Sequence, residues 1–364
     1  MRVLVVNVGS SSVKLRLLDA ADAVVSARDL PATDPIAAIA DEIQAASPDA
    51  VGHRFVHGGP DLHEPAVVDG SVRDLLRAAS ELAPVHNPPA LAALEVSMDA
   101  APDVPNVACF DTAFHARLPA GAALYALPRD LTERYRIRRY GFHGLSFGYA
   151  TRRAAEMLGR PVADLRLVVC HLGAGASAAA IAAGRSVDTT MGFTPLEGLV
   201  MARRSGTVDP GLVLWLQGHA GLDAPELQRV LEHDSGLAGL TGGAGDMREI
   251  VSGAARGEDL TRTALEVYTH RLRAAIAAMS AAIGGAHALV FTGGVGEGSD
   301  RVRTLACEGL DYMGVGVQAT GLEEPPADDV DLTAEGATVR TLVIHAREDL
   351  QVAAETRAAL TGRR

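Results

Sequence analysis

An internal repeat constrains the fold of this chain more than any other feature. Residues 3–19 read VLVVNVGSSSVKLRLLD, an apolar strand, a turn of glycine and serine, and a second apolar strand. The same order returns in residues 167–190, LVVCHLGAGASAAAIAAGRSVDTT. Two copies of one strand-turn-strand unit favour two duplicated domains. Because glycine turns after buried strands are common, coincidence remains the alternative at this point.

Apolar strand patterns alternate with helical patterns along the whole chain, which predicts an α/β fold. The length of 364 residues is long for one core and favours two domains of roughly 150 to 200 residues with a cleft between them. A long helix is predicted from Asp259 to Ile283, ended by Gly284 and Gly285. Its apolar part, Leu272 to Ile283, is too short to span a bilayer.

Charge and cysteine usage limit the classes of partner. The net charge of −12 argues against nucleic acid or an anionic membrane, because both attract basic surfaces. No signal-peptide pattern opens the chain. The three cysteines, Cys109, Cys170 and Cys307, form no CxxC pair, so we expect small core residues in a reducing compartment. The sequence therefore indicates a cytoplasmic protein that binds neither nucleic acid nor membrane.

The two glycine turns are candidate phosphate-binding loops. Glycine lets backbone N–H groups converge on phosphate oxygens without a Cβ in the way. The first turn adds the side chains of Asn7, Ser10, Ser12 and Lys14, and Lys14 is the only lysine among 33 basic residues. The second turn, residues 173–175, offers backbone groups alone. Neither turn has the spacing of a P-loop.

The remaining polar clusters are small and separated along the chain. They contain Arg54, His86, Asp111, His143 and Arg204. Each of these residues alone is most simply read as structural, and the histidine spacings do not suit zinc. Together they supply arginines, neutral donors and carboxylates that suit Mg²⁺. That set indicates phosphoryl transfer, in which positioning and charge neutralisation dominate.

A series of motifs carries a family resemblance. In order, the chain contains NVGSSSVKLRL, HRFVHGG, PVHNPP, FDTAFH, RRYGFHGLSF, CHLGAGAS, DTTMGFTPLEGL, RRSGTVDPG, GDMREI, FTGGVGEG and REDLQVA. Together they resemble the acetate kinase family, which includes propionate and butyrate kinases. The resemblance implies two duplicated ribonuclease H-like domains of the actin-like ATPase superfamily with the active site in the interdomain cleft. The implied domains are residues 1–115 with 349–364, and residues 116–348.

The resemblance also implies a reaction and its participants. The γ-phosphoryl group of ATP is transferred in line and reversibly to acetate or another short carboxylate, giving acetyl phosphate and ADP. The implied metal is Mg²⁺ or Mn²⁺, and the implied assembly is a cytoplasmic homodimer.

Residue roles follow from the matching motif positions. The implied catalytic residues are Arg54, Asp111, His143 and Arg204. The implied acid site comprises Arg54, Val56, Val85, His86, Phe142 and Pro195. The implied nucleotide site comprises Ser10, Ser12, Lys14, His171, Leu172, Gly173, Ala174, Gly175, Asp246, Met247, Arg248, Gly293, Gly294, Val295, Gly296 and Glu297. The implied metal ligands are Asn7 and Glu348.

Departures from the family pattern leave alternatives open. Ala174 and Gly298, both in motifs of the implied nucleotide site, stand where asparagine is usual. Because these departures affect the nucleotide side, pyrophosphate remains an alternative donor to ATP. Val85 stands where leucine is common, and one methylene discriminates by only about 1 to 3 kcal/mol, so propionate remains an alternative to acetate. Arg203 replaces a usual threonine and is interpreted as a solvated surface charge.

Two other classes of function are weighed against the resemblance. A sugar kinase would need a general base facing an alcohol, whereas a carboxylate substrate is already deprotonated and needs positive charge, as Arg54 and Arg204 offer. A non-catalytic actin-like ATP switch would need an interaction segment that the sequence does not contain.

Overall fold

The structure is a computed structural model that describes residues 1–9, 12–31 and 35–362. The chain consists of two compact units. The first unit contains Met1–Ala116, Phe142–Tyr149 and Arg347–Arg364. The second unit contains Arg117–Gly141 and Ala150–Ala346. The domain boundaries expected from the sequence, 1–115 with 349–364 and 116–348, stay a prediction.

The first unit is built on a six-stranded sheet. Its elements up to residue 110 are β1 (Val3–Val8), β2 (Ser12–Leu18), β3 (Val24–Pro31), α1 (Pro35–Ala46), β4 (Ala50–Phe55), β5 (Ala66–Val67), α2 (Gly70–Ala79), α3 (Asn87–Ala100) and β6 (Asn106–Phe110). The strand order is β3-β2-β1-β4-β6-β5. Strand β1 is antiparallel to β2 and parallel to β4, and β4 is parallel to β6.

The second unit contains another six-stranded sheet and most of the helices. Its elements, with α6 shared by both units, are α4 (Ala120–Ala123), α5 (Arg129–Tyr135), α6 (Gly144–Leu158), β7 (Arg166–Leu172), β8 (Ala176–Ala182), β9 (Arg185–Thr189), α7 (Pro210–His219), α8 (Ala224–His233), α9 (Gly236–Thr241), α10 (Met247–Ala255), α11 (Asp259–Ala282), β10 (Ala288–Thr292), α12 (Gly293–Gly298), α13 (Asp300–Cys307), β11 (Val330–Asp331) and β12 (Arg340–Val343). The last helix, α14 (Glu348–Thr361), belongs to the first unit. The predicted long helix is confirmed as α11.

The two sheets share one topology. The second sheet has the order β11-β12-β10-β7-β8-β9, which is the order of the first sheet read from its other edge with each strand advanced by six. The senses of pairing also agree, because β7 and β8 form an antiparallel hairpin while β7, β10 and β12 are parallel. The hairpins β1–β2 and β7–β8 therefore occupy equivalent positions in the two sheets. The duplication predicted from the internal repeat is therefore confirmed, and coincidence is the wrong alternative.

Strand β1 of the first sheet is buried on both faces. Because side chains alternate along a strand, Leu4 and Val6 of β1 pack in the cluster that includes Leu94 of α3. Val3 and Val5 point to the opposite face, where they pack with Val352 of α14. A strand covered on both sides reads as a continuous apolar run, and this explains the VLVV sequence at the amino terminus.

Helix α14 approaches the sheet closely. A Cβ added to Gly52 of β4 would lie 2.4 Å from Oγ1 of Thr356 and 2.7 Å from a methyl carbon of Val352. Only glycine fits at that position.

The three cysteines, predicted to be core residues, are buried free thiols. Within the described part of the chain, no helix has both the length and the hydropathy to cross a membrane.

Two histidines of the first unit are buried in the neutral form. His53 lies on β4 with its Nε2 2.8 Å from Oδ1 of Asn106. Burial lowers its pKa to about 4, although the bond to Asn106 acts in the opposite direction. Burial likewise lowers the pKa of His57 to about 4. The folded chain therefore binds protons at these rings more weakly than the unfolded chain.

We expect the free energy of unfolding to fall as the pH is lowered from about 6.5 to about 4, because the unfolded chain takes up protons that the folded chain does not. Each ring contributes up to about 3 kcal/mol over that range. In urea titrations at several pH values, His53→Gln, which keeps a donor for Asn106, should show a weaker acid dependence. The exposed His63→Gln is the control. An unchanged acid dependence in His53→Gln would contradict the prediction.

Candidate active site

Three parallel strands of the first sheet and the start of α14 bring four polar residues together. Asn7 lies on β1, Arg54 on β4 and Asp111 directly after β6, while Glu348 is the first residue of α14. The carboxyl ends of neighbouring parallel strands meet at one edge of a sheet, which is the usual place for a ligand in such folds. We call these four residues the arginine–carboxylate cluster. All four were nominated from the sequence.

Arg54 connects the cluster. Its Nη2 donates to Oδ2 of Asp111 at 2.6 Å, and its Nη1 donates to Oδ1 of Asn7 at 3.3 Å. Its Nε lies 3.9 Å from Oε2 of Glu348. The Asn7 amide nitrogen in turn donates to the same Glu348 oxygen at 3.1 Å. The Arg54 side chain is 16% exposed and that of Asp111 is 1% exposed, so the guanidinium is held in place before any ligand binds.

Burial and neighbouring charges shift the pKa values of Asp111 and Arg54 in this cluster. Burial raises the pKa of Asp111 to about 6, opposed by Arg54 and reinforced by the Glu348 carboxylate. Burial alone would lower the pKa of Arg54, but Asp111 and Glu348 raise it on balance above its ordinary value. Arg54 therefore stays charged, and it is the group that allows an ionised Asp111 in this buried position.

The cluster contains oxygen atoms suited to a magnesium ion. Oδ1 of Asp111 is buried and, among the described residues, has no hydrogen-bond partner. Within that part of the chain, no three His, Cys, Asp or Glu side chains form a metal-binding group. Mg²⁺ commonly uses one or two carboxylates and completes its shell with water and substrate phosphates. Asp111, Asn7 and Glu348 fit that mode, and their metal role stays a prediction.

His143 lies close to Asp111 in the chain trace and has an unusual backbone. Its φ is +58°, a left-handed conformation that is uncommon outside glycine and often marks a functional position. The next residue, Gly144, donates its N–H to the carbonyl of Asp111 at 2.9 Å. A Cβ on Gly144 would lie 2.1 Å from that carbonyl oxygen. The glycine therefore fixes the His143 segment against Asp111.

The predicted acid-binding residues of the first unit are unequally buried. Val56 and Phe142 are buried, whereas Val85 is 53% exposed. His86 immediately precedes α3. The Phe142 ring packs edge-on against the imidazole of His57 with 5.6 Å between ring centroids. The structure thus places the Phe142 ring beside the loop that contains Val56.

Two residues that hold this loop were not nominated from the sequence. The Asn87 amide donates to the carbonyl of His57 at 2.8 Å and accepts from its N–H at 3.2 Å. Nδ1 of His57 accepts from the N–H of Gly59 at 2.8 Å, so the neutral ring carries its proton on Nε2. Asn87 and His57 lie within quoted motifs, but nothing in the sequence indicated that they contact each other.

The first hairpin places Lys14 near the cluster's strand. Lys14 on β2 is the register partner of Asn7 on β1, and residues paired in this way point to the same face of a sheet. The Lys14 side chain is exposed. The carbonyl of Ser12 accepts from the N–H of Gly9 at 2.8 Å and closes the hairpin. Ser10 lies outside the described residues.

A cavity of about 710 Å³ lies within the second unit. We call it the second-unit cavity. Its predicted lining residues are Gly173, Ala174, Asp246, Met247, Arg248, Gly294 and Val295. Lining residues not predicted from the sequence are Ala202, Arg203, Leu237, Gly243, Gly245, Glu249, Tyr268, Gly298, Ser299, Glu323 and Pro325. Most of this surface is apolar or glycine backbone, which is typical of small-molecule pockets.

The residue that caps α10 forms part of the cavity wall, and a glycine turn lies at the start of α12. Asp246 caps α10 by accepting from the N–H of Arg248 at 2.9 Å. The Arg248 Nε also donates to Asp246 at 3.0 Å, and this partner lowers the pKa of Asp246. At the start of α12, Gly293 has a φ of +79°. A Cβ at Gly293 would lie 2.8 Å from the carbonyl oxygen of Leu172, so the turn requires glycine.

Six of the nucleotide residues predicted in the second unit do not line this cavity. They are His171, Leu172, Gly175, Gly293, Gly296 and Glu297. Leu172 is fully buried beneath the turn. The Glu297 carboxylate accepts from the N–H groups of Gly293 and Ala346 at 2.8 and 2.9 Å. The structure thus gives Glu297 a positioning contact, and direct contact of these six residues with a nucleotide stays a prediction.

Arg204 and Pro195 contact each other in the second unit. Nη1 of Arg204 donates to the carbonyl of Pro195 at 3.0 Å. Burial lowers the pKa of Arg204, and Glu232 acts in the opposite direction. Among the described residues, no carboxylate lies within ion-pair distance of this guanidinium. Arg204 is therefore a partly buried cation whose charge is available to a bound anion.

A hydrogen-bond network that was not predicted from the sequence braces the loop of Pro195. Glu197 accepts from the Tyr125 hydroxyl at 2.5 Å and from Arg139 at 2.8 Å. The Tyr125 oxygen accepts from the N–H of Phe193 at 2.9 Å. Glu197 lies inside the motif DTTMGFTPLEGL, but its partners are distant in sequence, so only the folded chain reveals them.

Comparisons with known proteins show similarity along nearly the whole chain. A sequence profile of the acetokinase family matches residues 32–354. The chain is 43% identical over 394 aligned residues to an acetate kinase of Clavibacter michiganensis subsp. michiganensis, covering 99% of each chain.

Solved structures agree with this similarity. A crystal structure of Porphyromonas gingivalis acetate kinase matches with a TM-score of 0.91 and 32% identity, covering 99% of each chain. A crystal structure of a propionate kinase from Francisella tularensis subsp. tularensis matches with a TM-score of 0.90 and 31% identity, covering 98% of this chain and 99% of the other. The predicted α/β fold of two duplicated domains is confirmed.

Proposed function

The chain belongs to the acetokinase family, and we propose that it transfers the γ-phosphoryl group of ATP reversibly to acetate, giving acetyl phosphate and ADP. It is an enzyme that phosphorylates a carboxyl group. The observation that carries the proposal is the arginine–carboxylate cluster. There, Arg54 is fixed by Asp111 and Asn7 at an edge of the first sheet. A guanidinium held in this way is suited to an anionic acceptor and to the charge of a transferring phosphoryl group.

The chemistry of the acceptor explains why arginines replace a general base. A carboxylate is already ionised near neutral pH, so the enzyme needs no group to remove a proton from it. The enzyme must instead lower the repulsion between two anions and stabilise the equatorial oxygens of the phosphoryl group. We propose that Arg54 and Arg204 supply this positive charge and that His143 donates a hydrogen bond to the same oxygens. These needs disfavour the sugar-kinase alternative.

Asp111, Asn7 and Glu348 would hold the Mg²⁺ or Mn²⁺ ion. When bound, the ion neutralises phosphate charge. Asp111 also holds the Arg54 guanidinium at 2.6 Å, so one carboxylate serves both the metal and the arginine. The side chains of Ser12 and Lys14 are proposed as phosphate ligands from the adjacent hairpin, together with Ser10.

Removal of divalent metal should abolish phosphoryl transfer, and addition of Mg²⁺ or Mn²⁺ should restore it. Asp111→Asn should lower turnover by about 100-fold or more, because a metal ligand and the partner of Arg54 are lost together. The measurement is acetyl phosphate formation as a function of metal concentration. Asp74→Asn, an exposed carboxylate paired with Arg77, is the matched control. Full activity in chelator would contradict the metal assignment.

The second-unit cavity is the proposed adenosine site. Its apolar surface is formed by Met247, Val295 and Pro325 together with glycine backbone. Such a surface suits a purine ring, and this favours ATP over pyrophosphate as the donor. Pyrophosphate remains the second candidate donor, because Ala174 offers no side-chain hydrogen bond to a phosphate.

The size of the acid is less constrained than its charge. Phe142 and Val56 are buried while Val85 is half exposed, and the loss of a methylene relative to leucine leaves room for a longer acid. A propionate kinase is among the structures similar to this chain. We propose acetate as the preferred substrate and propionate as the alternative.

An assay for acyl phosphate with hydroxylamine tests the proposal directly. Purified protein and Mg²⁺ are combined with acetate, propionate or butyrate, each with ATP or pyrophosphate as donor. We expect product with ATP and acetate, and less product with each added methylene. Product only in the assays with pyrophosphate would show that pyrophosphate, and not ATP, is the donor. No product with any pair would contradict the proposed function.

We further propose that the enzyme is a homodimer that associates through α7. This ten-residue helix contains no buried residue, although its sequence is PGLVLWLQGH. Leu212, Leu214 and Trp215 are 45%, 69% and 54% exposed. An apolar face of this kind on a folded unit usually marks an interface.

Leu214→Asp should convert the dimer to a monomer, because an ionised carboxylate would be desolvated in the interface. Light scattering coupled to size exclusion gives the mass of each variant. Leu260→Asp on α11, at a position 60% exposed, is the matched control and should leave the mass unchanged. A dimer that persists in Leu214→Asp would place the interface elsewhere.

Cytoplasmic localisation is proposed as well. All three cysteines are free and buried, as expected for a protein of a reducing compartment. The net charge of −12 does not favour nucleic acid as a partner.

A further inference from the structure

The turn at residues 173–175 is poor in donors for a phosphate. Its residues are glycine, alanine and glycine, so no side chain can donate a hydrogen bond. One of its backbone donors is already used, because the N–H of Gly173 donates to the carbonyl of Gly175 at 2.9 Å. In the equivalent hairpin of the first unit, Ser12 and Lys14 supply polar side chains. Positive charge from another segment would therefore favour a polyphosphate at the second turn.

Arg203 is held next to this turn. The N–H of Ala202 donates to the carbonyl of Ala174 at 3.2 Å, which joins the segment of Arg203 to the turn. Arg203 and Ala174 line the same second-unit cavity. The Arg203 side chain is exposed, which agrees with its interpretation as a solvated charge, but that interpretation does not explain its place in the cavity wall.

The guanidinium of Arg203 is weakly engaged. Its Nη1 donates to the carbonyl of His233 at 3.4 Å, beyond the usual range for such a bond. Among the described residues, no carboxylate lies within ion-pair distance of it. The other arginine of the cavity wall, Arg248, is bound to Asp246 through Nε and Nη2. Within the described cavity wall, Arg203 is thus the cation whose charge is not matched by a carboxylate.

The acidic residues of the wall make this charge more important. Glu249 and Glu323 also line the cavity, and Glu323 is held by the Ser299 hydroxyl at 2.6 Å. These carboxylates repel a polyphosphate. Unmatched positive charge in the same wall would offset this repulsion.

We propose that Arg203 binds a phosphate group of the nucleotide beside Ala174 and replaces the side-chain donor that the turn lacks. This inference rests on the proposed nucleotide-dependent function. It assigns Arg203 to the nucleotide polyphosphate. The competing explanation is structural, because His233 ends α8 and an arginine at a helix carboxyl terminus stabilises that helix.

Titration calorimetry with ADP and with adenosine separates these roles. Arg203→Ala should weaken ADP binding about 10- to 100-fold, the range for loss of a hydrogen bond to a charged group. Adenosine affinity should stay unchanged, because adenosine carries no phosphate. Arg229→Ala, which removes an exposed arginine of α8 paired with Asp234, is the control and should bind both ligands as the wild type does. Thermal unfolding of each variant reports any effect on α8.

The turn itself provides a rescue. Ala174→Asn in the Arg203→Ala background should recover part of the ADP affinity, because an amide donor returns beside the phosphate. Equal loss of ADP and adenosine binding in Arg203→Ala, with a lower unfolding temperature, would assign Arg203 to the helix end and overturn the inference. Unchanged ADP affinity would overturn it as well and leave the proposed function intact. A wild-type protein that binds neither ligand would overturn both.

Discussion

Replacement of Arg54 by alanine is expected to lower kcat by about 100- to 1,000-fold or more, the loss found when one donor aimed at transition-state charge is removed. Arg54 donates to Asp111 at 2.6 Å and to Asn7 at 3.3 Å. Its remaining hydrogen-bonding capacity is fixed in direction before the substrate binds. The measurement is steady-state acetyl phosphate formation with ATP and acetate, and the KM for acetate should rise together with the fall in kcat.

Stability must be measured alongside activity in this variant. Arg54→Ala leaves Asp111 buried beside Glu348 without its cationic partner, and an orphaned buried charge costs about 3 to 5 kcal/mol. The double variant Arg54→Ala with Asp111→Asn removes that orphaned charge. It should recover stability but not turnover, so a loss of activity cannot be attributed to unfolding.

A conservative variant and a matched control complete this test. Arg54→Lys keeps the charge but cannot donate to two oxygens in one plane, so we expect turnover well below that of the wild type. Arg77→Ala removes an exposed arginine that pairs with Asp74 and Glu95 in the same unit. It should behave as the wild type. Wild-type turnover in Arg54→Ala would contradict the mechanism.

Arg204→Ala should also lower kcat by about 100- to 1,000-fold, because the variant loses charge directed at the phosphoryl group. Its effect on stability should differ from that of Arg54→Ala. The Arg204 guanidinium donates to the carbonyl of Pro195 at 3.0 Å. No carboxylate among the described residues is left unpaired by its removal, so the free energy of unfolding should change little. Activity and stability are thereby separated in a single variant.

Kinetics and binding distinguish Arg204 from its neighbour Arg203. Arg204→Ala should leave adenosine affinity unchanged and should lower kcat more than it raises the KM for ATP. Arg203→Ala should instead raise the KM for ATP more than it lowers kcat, with its main effect on ADP and ATP affinity. Arg204→Lys should recover only part of the turnover, since the planar fork is lost. A kcat near that of the wild type in Arg204→Ala would show that Arg54 alone neutralises the phosphoryl charge.

The duplicated fold and the residues of the arginine–carboxylate cluster could be predicted from the sequence. The repeated strand-turn-strand unit predicted two duplicated domains, because the alternation of apolar strands with glycine turns is a local property of each segment. The motifs nominated Asn7, Arg54, Asp111 and Glu348 separately. The sheet then joined three of them, since parallel strands that end in polar residues place those residues at one edge.

Other features depend on contacts between segments that are distant in the chain. The raised pKa of Asp111 depends on burial and on the positions of Arg54 and Glu348, and no local pattern encodes these. Asn87 holds the backbone of His57, and Glu197 binds Tyr125, in each case across a long sequence separation. Such partners are chosen by the packing of whole elements, so single-sequence reasoning finds the residues but not their pairing.

Arg203 and Arg204 show the same difference between what the sequence predicts and what the folded chain reveals. In the sequence, Arg203 and Arg204 are adjacent arginines of one motif, and only comparison with the family pattern distinguished their roles. That comparison predicted Arg203 to be a surface charge. In the folded chain, the bond between Ala202 and Ala174 places Arg203 in the wall of the second-unit cavity, while Arg204 turns to the carbonyl of Pro195. The sequence determined the fold, the chemistry and the residue types of the site. Tertiary structure alone decided which charges are matched, because matching depends on distances between side chains that the chain brings together only when it folds.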